Sequence, residues 1–187
     1  ANTFREELKL GKRAFREHFG RDPIGYREPY GGIDFEQFPV LADEGFEFDS
    51  SVFPSYRPGV YNNLDAPLEP YVPEGVPDLL EVPLGVVRGL RIPLSQNYLK
   101  LFGRPMLELL SVAPLPKTVV YNVHLQDLYR TESHAKLPGV KRRIMTRNLD
   151  RSVEILEEGV ERIRSKGYEP TKITDIHGRY NPRNGER

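Results

Sequence analysis

The chain has 187 residues, of which 38% are hydrophobic and 10% aromatic, and this apolar fraction is sufficient for one domain-sized core. Its 27 lysines and arginines equal its 27 aspartates and glutamates, so the formal net charge of +0 creates no global field that would recruit nucleic acid or an anionic membrane. Because cysteine is absent, disulfides and thiolate metal sites are excluded, and any metal would need histidine or carboxylate ligands.

The sequence predicts no membrane span, because no apolar run is long enough to cross a bilayer. It shows no signal-peptide pattern either, but a segment before Ala1 would have carried such a signal. The compartment therefore stays open between the cytoplasm and the cell envelope.

The first predicted element is a helix over residues 3–19. Thr3 and Glu6 have the spacing of a capping box, and Gly20 supplies the C-terminal stop. A strand over residues 24–27 is predicted to follow.

The run Gly25-Tyr26-Arg27-Glu28-Pro29-Tyr30-Gly31 places an arginine, a proline and an aromatic residue where this strand ends. Because the residue before a proline is pushed towards extended geometry, Glu28 leaves the strand without entering a helix. Gly31 and Gly32 allow bare backbone to approach a ligand. The run is either part of an active site or an ordinary strand-to-helix turn with an exposed arginine.

The remaining elements alternate between strand and helix, which predicts an α/β fold with largely parallel strands. The predicted strands cover residues 46–49, 79–82, 90–92 and 118–123, with a short one near Tyr168, and the predicted helices cover 35–44, 96–111 and 147–166. Residues 1–176 are predicted to form one domain, and residues 177–187 a flexible C-terminal tail.

A proline-rich stretch separates Ser50 from Leu79, and its six prolines exclude regular helix and central strand. Tyrosines 56, 61 and 71 lie among these prolines. The stretch is either a lid packed by its own tyrosines or a wall on which sugar rings could stack.

Five segments follow one another along the chain in an order that is informative: Arg27-x-Pro29-Tyr30, Ala42-Asp43-Glu44-Gly45, Asp49-Ser50-Ser51-Val52-Phe53-Pro54, Leu80-Glu81-Val82-Pro83 and Val119-Val120-Tyr121-Asn122-Val123-His124. In this order the chain resembles the polysaccharide deacetylase family, the NodB homology domain of carbohydrate esterase family 4, from the first helix to about Ile176. The resemblance implies a distorted NodB-type (β/α) barrel. It also implies a hydrolase that removes N-acetyl groups from a polysaccharide or amino sugar by metal-assisted water attack, with zinc as the expected metal.

The chain departs from the family at its beginning. The family's metal-binding aspartate, its base aspartate and its His-x-x-x-His pair would all precede Ala1, so the chain resembles only the C-terminal two-thirds of the domain. We therefore expect an incomplete barrel that lacks its metal ligands and is inactive alone. Unpaired strand edges would favour an oligomer or an N-terminal segment that completes the barrel. The alternative is a non-catalytic carbohydrate-binding or partner-completed domain.

His124 ends its predicted strand, and histidine is the residue type whose usual pKa lies near working pH, which suits a general acid. The resemblance assigns the same role to this residue, and the alternative is a histidine bonded to a backbone carbonyl. Asp127 is predicted to bond to His124 or to sugar hydroxyls, or to be a solvated carboxylate.

By resemblance, Arg27 holds the base aspartate, and without that partner it would reach water, Asp49 or Glu28. The resemblance makes Asp49 a residue that tunes the catalytic histidine, and the alternative is a turn residue that caps Ser51. The resemblance predicts that the substrate contacts Pro29, Tyr30 and Gly31. It also predicts that the backbone amide of Tyr30 helps to bind the oxyanion. The other three histidines, His18, His134 and His177, lack paired-ligand spacing and are predicted to lie on the surface.

Overall fold

The computed structural model describes residues 3–180. The chain divides into two compact units, one formed in its described part by residues 3–83 and 171–180 and the other by residues 84–170. Each unit has its own cluster of buried apolar side chains, around Leu41 in the first and around Leu99 in the second. The sequence predicted a single core.

The helices of the first unit are α1 (Phe4–Phe19), α2 (Phe38–Asp43) and α9 (Ile173–Tyr180), with short 3₁₀ turns at Pro29–Gly31 and Phe35–Gln37. Helix α1 begins at the predicted capping box, in which Glu6 N donates to Thr3 Oγ1 at 3.3 Å, and it ends at Gly20 in left-handed geometry. Its start and end are thus set by local sequence, as predicted.

The sheet of the first unit contains β1 (Gly25–Tyr26), β2 (Phe48–Asp49) and β5 (Leu80–Glu81), parallel and in that order. Tyr26 pairs with Asp49, and Asp49 pairs with Glu81. The register therefore aligns these three residues in one row at the carboxyl ends of the strands. As far as residues 3–180 show, β1 has a strand neighbour on one side only.

The proline-rich stretch is ordered. It holds the antiparallel hairpin of β3 (Tyr56–Arg57) and β4 (Tyr61–Asn62). Val76 and Ala66 join the core of the first unit, and Tyr71 exchanges backbone hydrogen bonds with Glu81 at 2.8 and 3.0 Å. These contacts match the packed lid, one of the two predicted alternatives.

The second unit is helical and contains α3 (Gln96–Phe102), α4 (Arg104–Val112), α5 (Leu125–Leu128), α6 (Glu132–Ala135), α7 (Gly139–Met145) and α8 (Ser152–Arg164). A 3₁₀ turn at Leu149–Arg151 leads into α8. The helix predicted over 96–111 is broken at Gly103, whose positive φ of 61° interrupts it.

Three predicted strands are wrong in the second unit. Residues 90–92 form a turn in which Arg91 has a positive φ of 56°, a geometry that excludes a regular strand. Between 118 and 123 only Asn122 forms a β-bridge, to Ser95, because the backbone bonds are divided between Gly85 and the 94–96 segment. No strand is present near Tyr168, whose hydroxyl instead donates to Pro116 O at 2.6 Å.

The C-terminal prediction also needs correction. His177 belongs to α9, where it pairs with Glu47 at 3.6 Å and packs against the Phe48 ring, so residues 177–180 are held by contacts rather than forming a tail. The rest of the predicted tail, residues 181–187, lies outside the described residues. Mixed helix and parallel strand confirms the α/β class, and the strands within residues 3–180 form a three-stranded sheet and a hairpin rather than a closed barrel.

Candidate functional site

The candidate site in the second unit is built on His124 and Asp127, at the start of α5. His124 Nδ1 lies 3.3 Å from Asp127 Oδ2, and the same oxygen accepts from the His124 backbone N–H at 3.1 Å. The imidazole is 57% exposed, whereas the carboxylate is only 4% exposed. Of the three predicted roles of Asp127, the structure thus supports the bond to His124.

Lys100 supports this carboxylate from beneath. Its ammonium Nζ lies 3.6 Å from Asp127 Oδ1, and its side chain is fully buried. Burial lowers the pKa of Lys100, and the charge of Asp127 opposes this shift. Within residues 3–180, Nζ has no partner at hydrogen-bond distance, so Asp127 is its nearest source of charge compensation.

A neutral hydrogen-bond network holds the same corner of the unit. Tyr121 Oη donates to Gln96 Oε1 at 2.6 Å, and Gln96 Nε2 donates to Ser152 O and Oγ at 2.7 Å. Ser152 Oγ in turn donates to the backbone carbonyl of Asp127 at 2.6 Å. The network therefore links α3 and α8 to the helix that carries Asp127.

This arrangement defines what His124 can do chemically. An acceptor at Nδ1 favours the tautomer or charge state with a proton on that nitrogen, which leaves the opposite nitrogen, Nε2, for proton exchange. An exposed imidazole with a fixed carboxylate partner is suited to general acid or base chemistry.

Arg27, predicted as a site residue, lies in the first unit. Its guanidinium donates to Ser50 O and Ser50 Oγ, both at 2.7 Å, rather than directly to Asp49 or Glu28. Although the residue as a whole is exposed, desolvation of the guanidinium lowers the pKa of Arg27, and the charges of Asp49 and Glu81 counteract this. Arg27 is therefore bound to Ser50 and lies close enough to the carboxyls of Asp49 and Glu81 to feel their charge.

Asp49 and Glu81 form a carboxylate cluster, and both are 0% exposed. Burial raises the pKa of Glu81 well above its usual range, and the adjacent charge of Asp49 adds to the shift. Burial also raises the pKa of Asp49, whereas hydrogen bonds from Glu81 and Ser51 lower it. These directions predict that the two carboxyls share one proton.

The individual oxygens of the pair agree with this sharing. Asp49 accepts from Ser51 Oγ at 2.6 Å and from Ser51 N at 3.2 Å, which is the capping role predicted as the alternative for Asp49. Glu81 Oε1 accepts from Val52 N at 3.0 Å. Among the described residues Glu81 Oε2 has no hydrogen-bond partner, and a proton on this buried oxygen would make it a donor.

The predicted substrate-side residues follow β1. Pro29 is exposed and opens a 3₁₀ turn, and Gly31 adopts a positive φ of 66° with its Cα against the Phe53 ring. A Cβ at Gly31 would lie 2.6 Å from Phe53 Cδ2, so the glycine is required by packing. The side chain of Tyr30 lies outside the described residues.

The prediction that three histidines are ordinary surface residues is wrong for two of them. His18 is exposed. His134 is 3% exposed and accepts from Thr131 N at 3.1 Å, because it takes the place of the acid in a capping box at α6. His177 is partly buried in α9.

The described residues do not fit the zinc site that the resemblance implies. No group of three or more His, Asp or Glu side chains within residues 3–180 is placed to hold a metal ion. A pocket of about 320 Å³ is present in the first unit, but it lies at the amino ends of β2 and β5, beside Glu47, Leu79 and His177. It contains none of the predicted site residues.

The sequence did not predict two charged residues of these clusters. Lys100 shares the buried face of α3 with Gln96 and Leu99, at i, i+3 and i+4 spacing, and a charge on such a face is a detectable signal. Glu81 interrupts the apolar run Leu79-Leu80-Glu81-Val82, which is a similar signal.

Comparison of the chain with protein-family models, curated proteins and solved structures gave no match. None of the helices within residues 3–180 is both long and apolar enough to cross a membrane. The class that the geometry defines is an α/β protein with an exposed, carboxylate-oriented histidine.

Proposed function

We propose that this chain provides the proton-donating part of a carbohydrate deacetylase, a hydrolase that removes N-acetyl groups from a polysaccharide or amino sugar. The observation that carries the proposal is the exposed imidazole of His124, held at Nδ1 by the buried carboxylate of Asp127. Hydrolysis of an amide needs an acid that protonates the departing amine, and an oriented histidine meets this need.

In the proposed reaction, water adds to the acetyl carbonyl carbon and loses one proton to the solvent, and the C–N bond of the tetrahedral intermediate then breaks. His124 Nε2–H gives its proton to the leaving nitrogen, which releases acetic acid and the free amine, and the imidazole regains a proton from the solvent. Asp127 orients the imidazole through Nδ1, and Lys100 lies against the other oxygen of Asp127. Lys100 and Asp127 are thus positioning residues.

The order of motifs from Arg27 to His124 supports the same reaction class, and the NodB-type barrel is part of the proposal. Arg27, Pro29 and Gly31 are assigned to the substrate side by resemblance. In the family, zinc would supply Lewis-acid activation of water. The described residues of this chain offer no site for zinc. We assign no step of this chain to a metal.

A second candidate is a carbohydrate-binding domain without catalysis. One observation favours it: Tyr56 on β3 is 55% exposed. Exposed tyrosine rings can stack on the apolar faces of sugars.

Acetate release and binding should be measured in parallel on this chain and on the complete product of its gene, with an N-acetylglucosamine oligomer, with and without zinc. Release that is lost in His124→Ala but kept in His18→Ala is the result expected for the deacetylase. Binding without release in either protein supports the second candidate. Absence of both contradicts the two functions together.

A further inference from the structure

We propose that residues 136–147, here called the basic segment, bind the surface of an anionic lipid membrane. The segment contains Lys136, Lys141, Arg142, Arg143 and Arg147 and no acidic residue, although the whole chain has a formal net charge of +0. Zero net charge therefore conceals a local excess of positive charge. This inference does not depend on the proposed function.

Most of these cations have no ionic partner among residues 3–180. In the part of the chain that the structure describes, the side chains of Lys136, Lys141, Arg143 and Arg147 have no ion pair or hydrogen bond, and Arg142 donates only to the Leu137 carbonyl. Helices α4 and α8 differ, since Arg104 and Arg162 each pair with a glutamate on the same helix, at 2.8 and 3.7 Å. The basic segment keeps its charges for an external partner.

Helix α7 also exposes apolar side chains between these charges. Val140 is 78% exposed and Ile144 is 45% exposed, and their i, i+4 spacing places them in one row. At 100° per residue, Arg143 lies on one side of this row and Lys141 on the other. No residue of α7 is buried, so the helix contributes little to the core of its unit.

An apolar row with cations on both flanks matches the interface of a lipid bilayer. The cations lie at the level of the phosphates, while valine and isoleucine enter the boundary between headgroups and acyl chains. A nucleic acid or an acidic polysaccharide would neutralise the charges but leave the apolar row in water. The lipid surface is therefore the occupant that uses both features.

The basic segment belongs to the same unit as His124. Helix α7 packs against α3, and Asn148, which follows the segment, donates from Nδ2 to the carbonyl of Lys100 at 2.7 Å. The contact with lipid would thus be made on the unit that carries the candidate site.

The test is co-sedimentation of the full chain with vesicles of phosphatidylcholine alone or with 30 mol% phosphatidylglycerol, at low and high salt. We expect binding only to the anionic vesicles, and weaker binding at high salt. The charge variant Lys141→Gln/Arg143→Gln should reduce partitioning roughly 10- to 30-fold, since each cation near the surface contributes about fivefold. The apolar variant Val140→Ser/Ile144→Ser should also reduce it.

The matched control is Arg13→Gln/Lys172→Gln, which removes two exposed cations of the first unit and should leave partitioning unchanged. Circular dichroism of each variant confirms that it is folded. Equal binding to neutral and anionic vesicles, or equal loss in the control, would overturn the proposal. The proposal would also be overturned if the chain bound no vesicles but did bind a soluble acidic polysaccharide, and if the apolar variant kept that binding.

Discussion

The two charged clusters of this protein use similar groups but differ in which atoms reach solvent. Asp49 and Glu81 of the first unit are 0% exposed, and their interactions are completed by Ser51, Val52 and each other. In the second unit only the supporting residues are buried, and the imidazole of His124 is exposed. A substrate can therefore reach the second cluster directly, whereas the first acts on the fold.

The charge balance of the two clusters explains their different protonation. Two buried carboxyls in the first unit exceed the single cation of Arg27, so one of them is predicted to retain a proton. In the second unit Asp127 and Lys100 form a one-to-one pair beside His124. A balanced buried pair keeps the Asp127 oxygen available as an acceptor for the imidazole.

The largest expected effect is the loss of acetate release when the exposed histidine is replaced. His124→Ala should lower acetate release about 10²- to 10⁴-fold, the usual contribution of a general acid, because the leaving amine is no longer protonated. Asp127→Asn should lower it less, since the imidazole loses the carboxylate that orients it through Nδ1. Near wild-type release by His124→Ala would contradict the proposed mechanism.

The next effect concerns Lys100. Lys100→Met should destabilise the protein towards the lower end of about 3–5 kcal/mol, because a buried Asp127 carboxylate loses its partner. The free energy of unfolding in urea measures this change. The exposed Lys141→Met serves as control and should alter stability by less than about 0.5 kcal/mol. The double variant Lys100→Met/Asp127→Asn should recover part of the loss, and no recovery would show that the ion pair is unimportant.

Local signals in the sequence predicted a good part of this structure. The capping box at Thr3 and the stop at Gly20 define α1 without help from distant residues. The end of β1 just before Arg27, the end of β2 at Asp49 and the position of His124 next to Asp127 also follow from short-range patterns. Such features depend on neighbours only a few residues away.

Features that depend on distant residues were not predicted. The pairing of Asp49 with Glu81 requires the register of two strands that lie 32 residues apart, as does the hydrogen bond from Ser50 Oγ to Val82 O. The apolar run before His124 suggested a strand, but its backbone bonds go to two different segments. Tertiary pairing decides these cases, and a single sequence does not specify it.

A smaller effect tests the register that aligns the first cluster. A Cβ at Gly25 would lie 2.1 Å from the Phe48 ring across the β1–β2 pair. Gly25→Ala should therefore cost about 1–3 kcal/mol of stability, as overpacked cores do. Gly32→Ala, where no atom lies within 4 Å of the new Cβ, is the matched control and should be close to neutral. Equal stability of the two variants would contradict the register described here.

The smallest effect is the pH dependence of the buried carboxyl pair. Because the native-state pKa of Glu81 is raised above its ordinary value of 4.5, the folded protein binds more protons than the unfolded chain above that pH. This contribution to stability is complete below about pH 4.5 and is lost as the pH rises through the native-state pKa, with a slope of at most about 1.4 kcal/mol per pH unit for one proton. Glu81→Gln places an uncharged donor beside Asp49 and should flatten the urea-unfolding profile over that range, whereas the exposed Glu17→Gln should keep the wild-type slope. If stability instead rose with pH in this range, or if Glu81→Gln left the slope unchanged, the shared proton would be excluded and Arg27 would have to compensate two buried carboxylates.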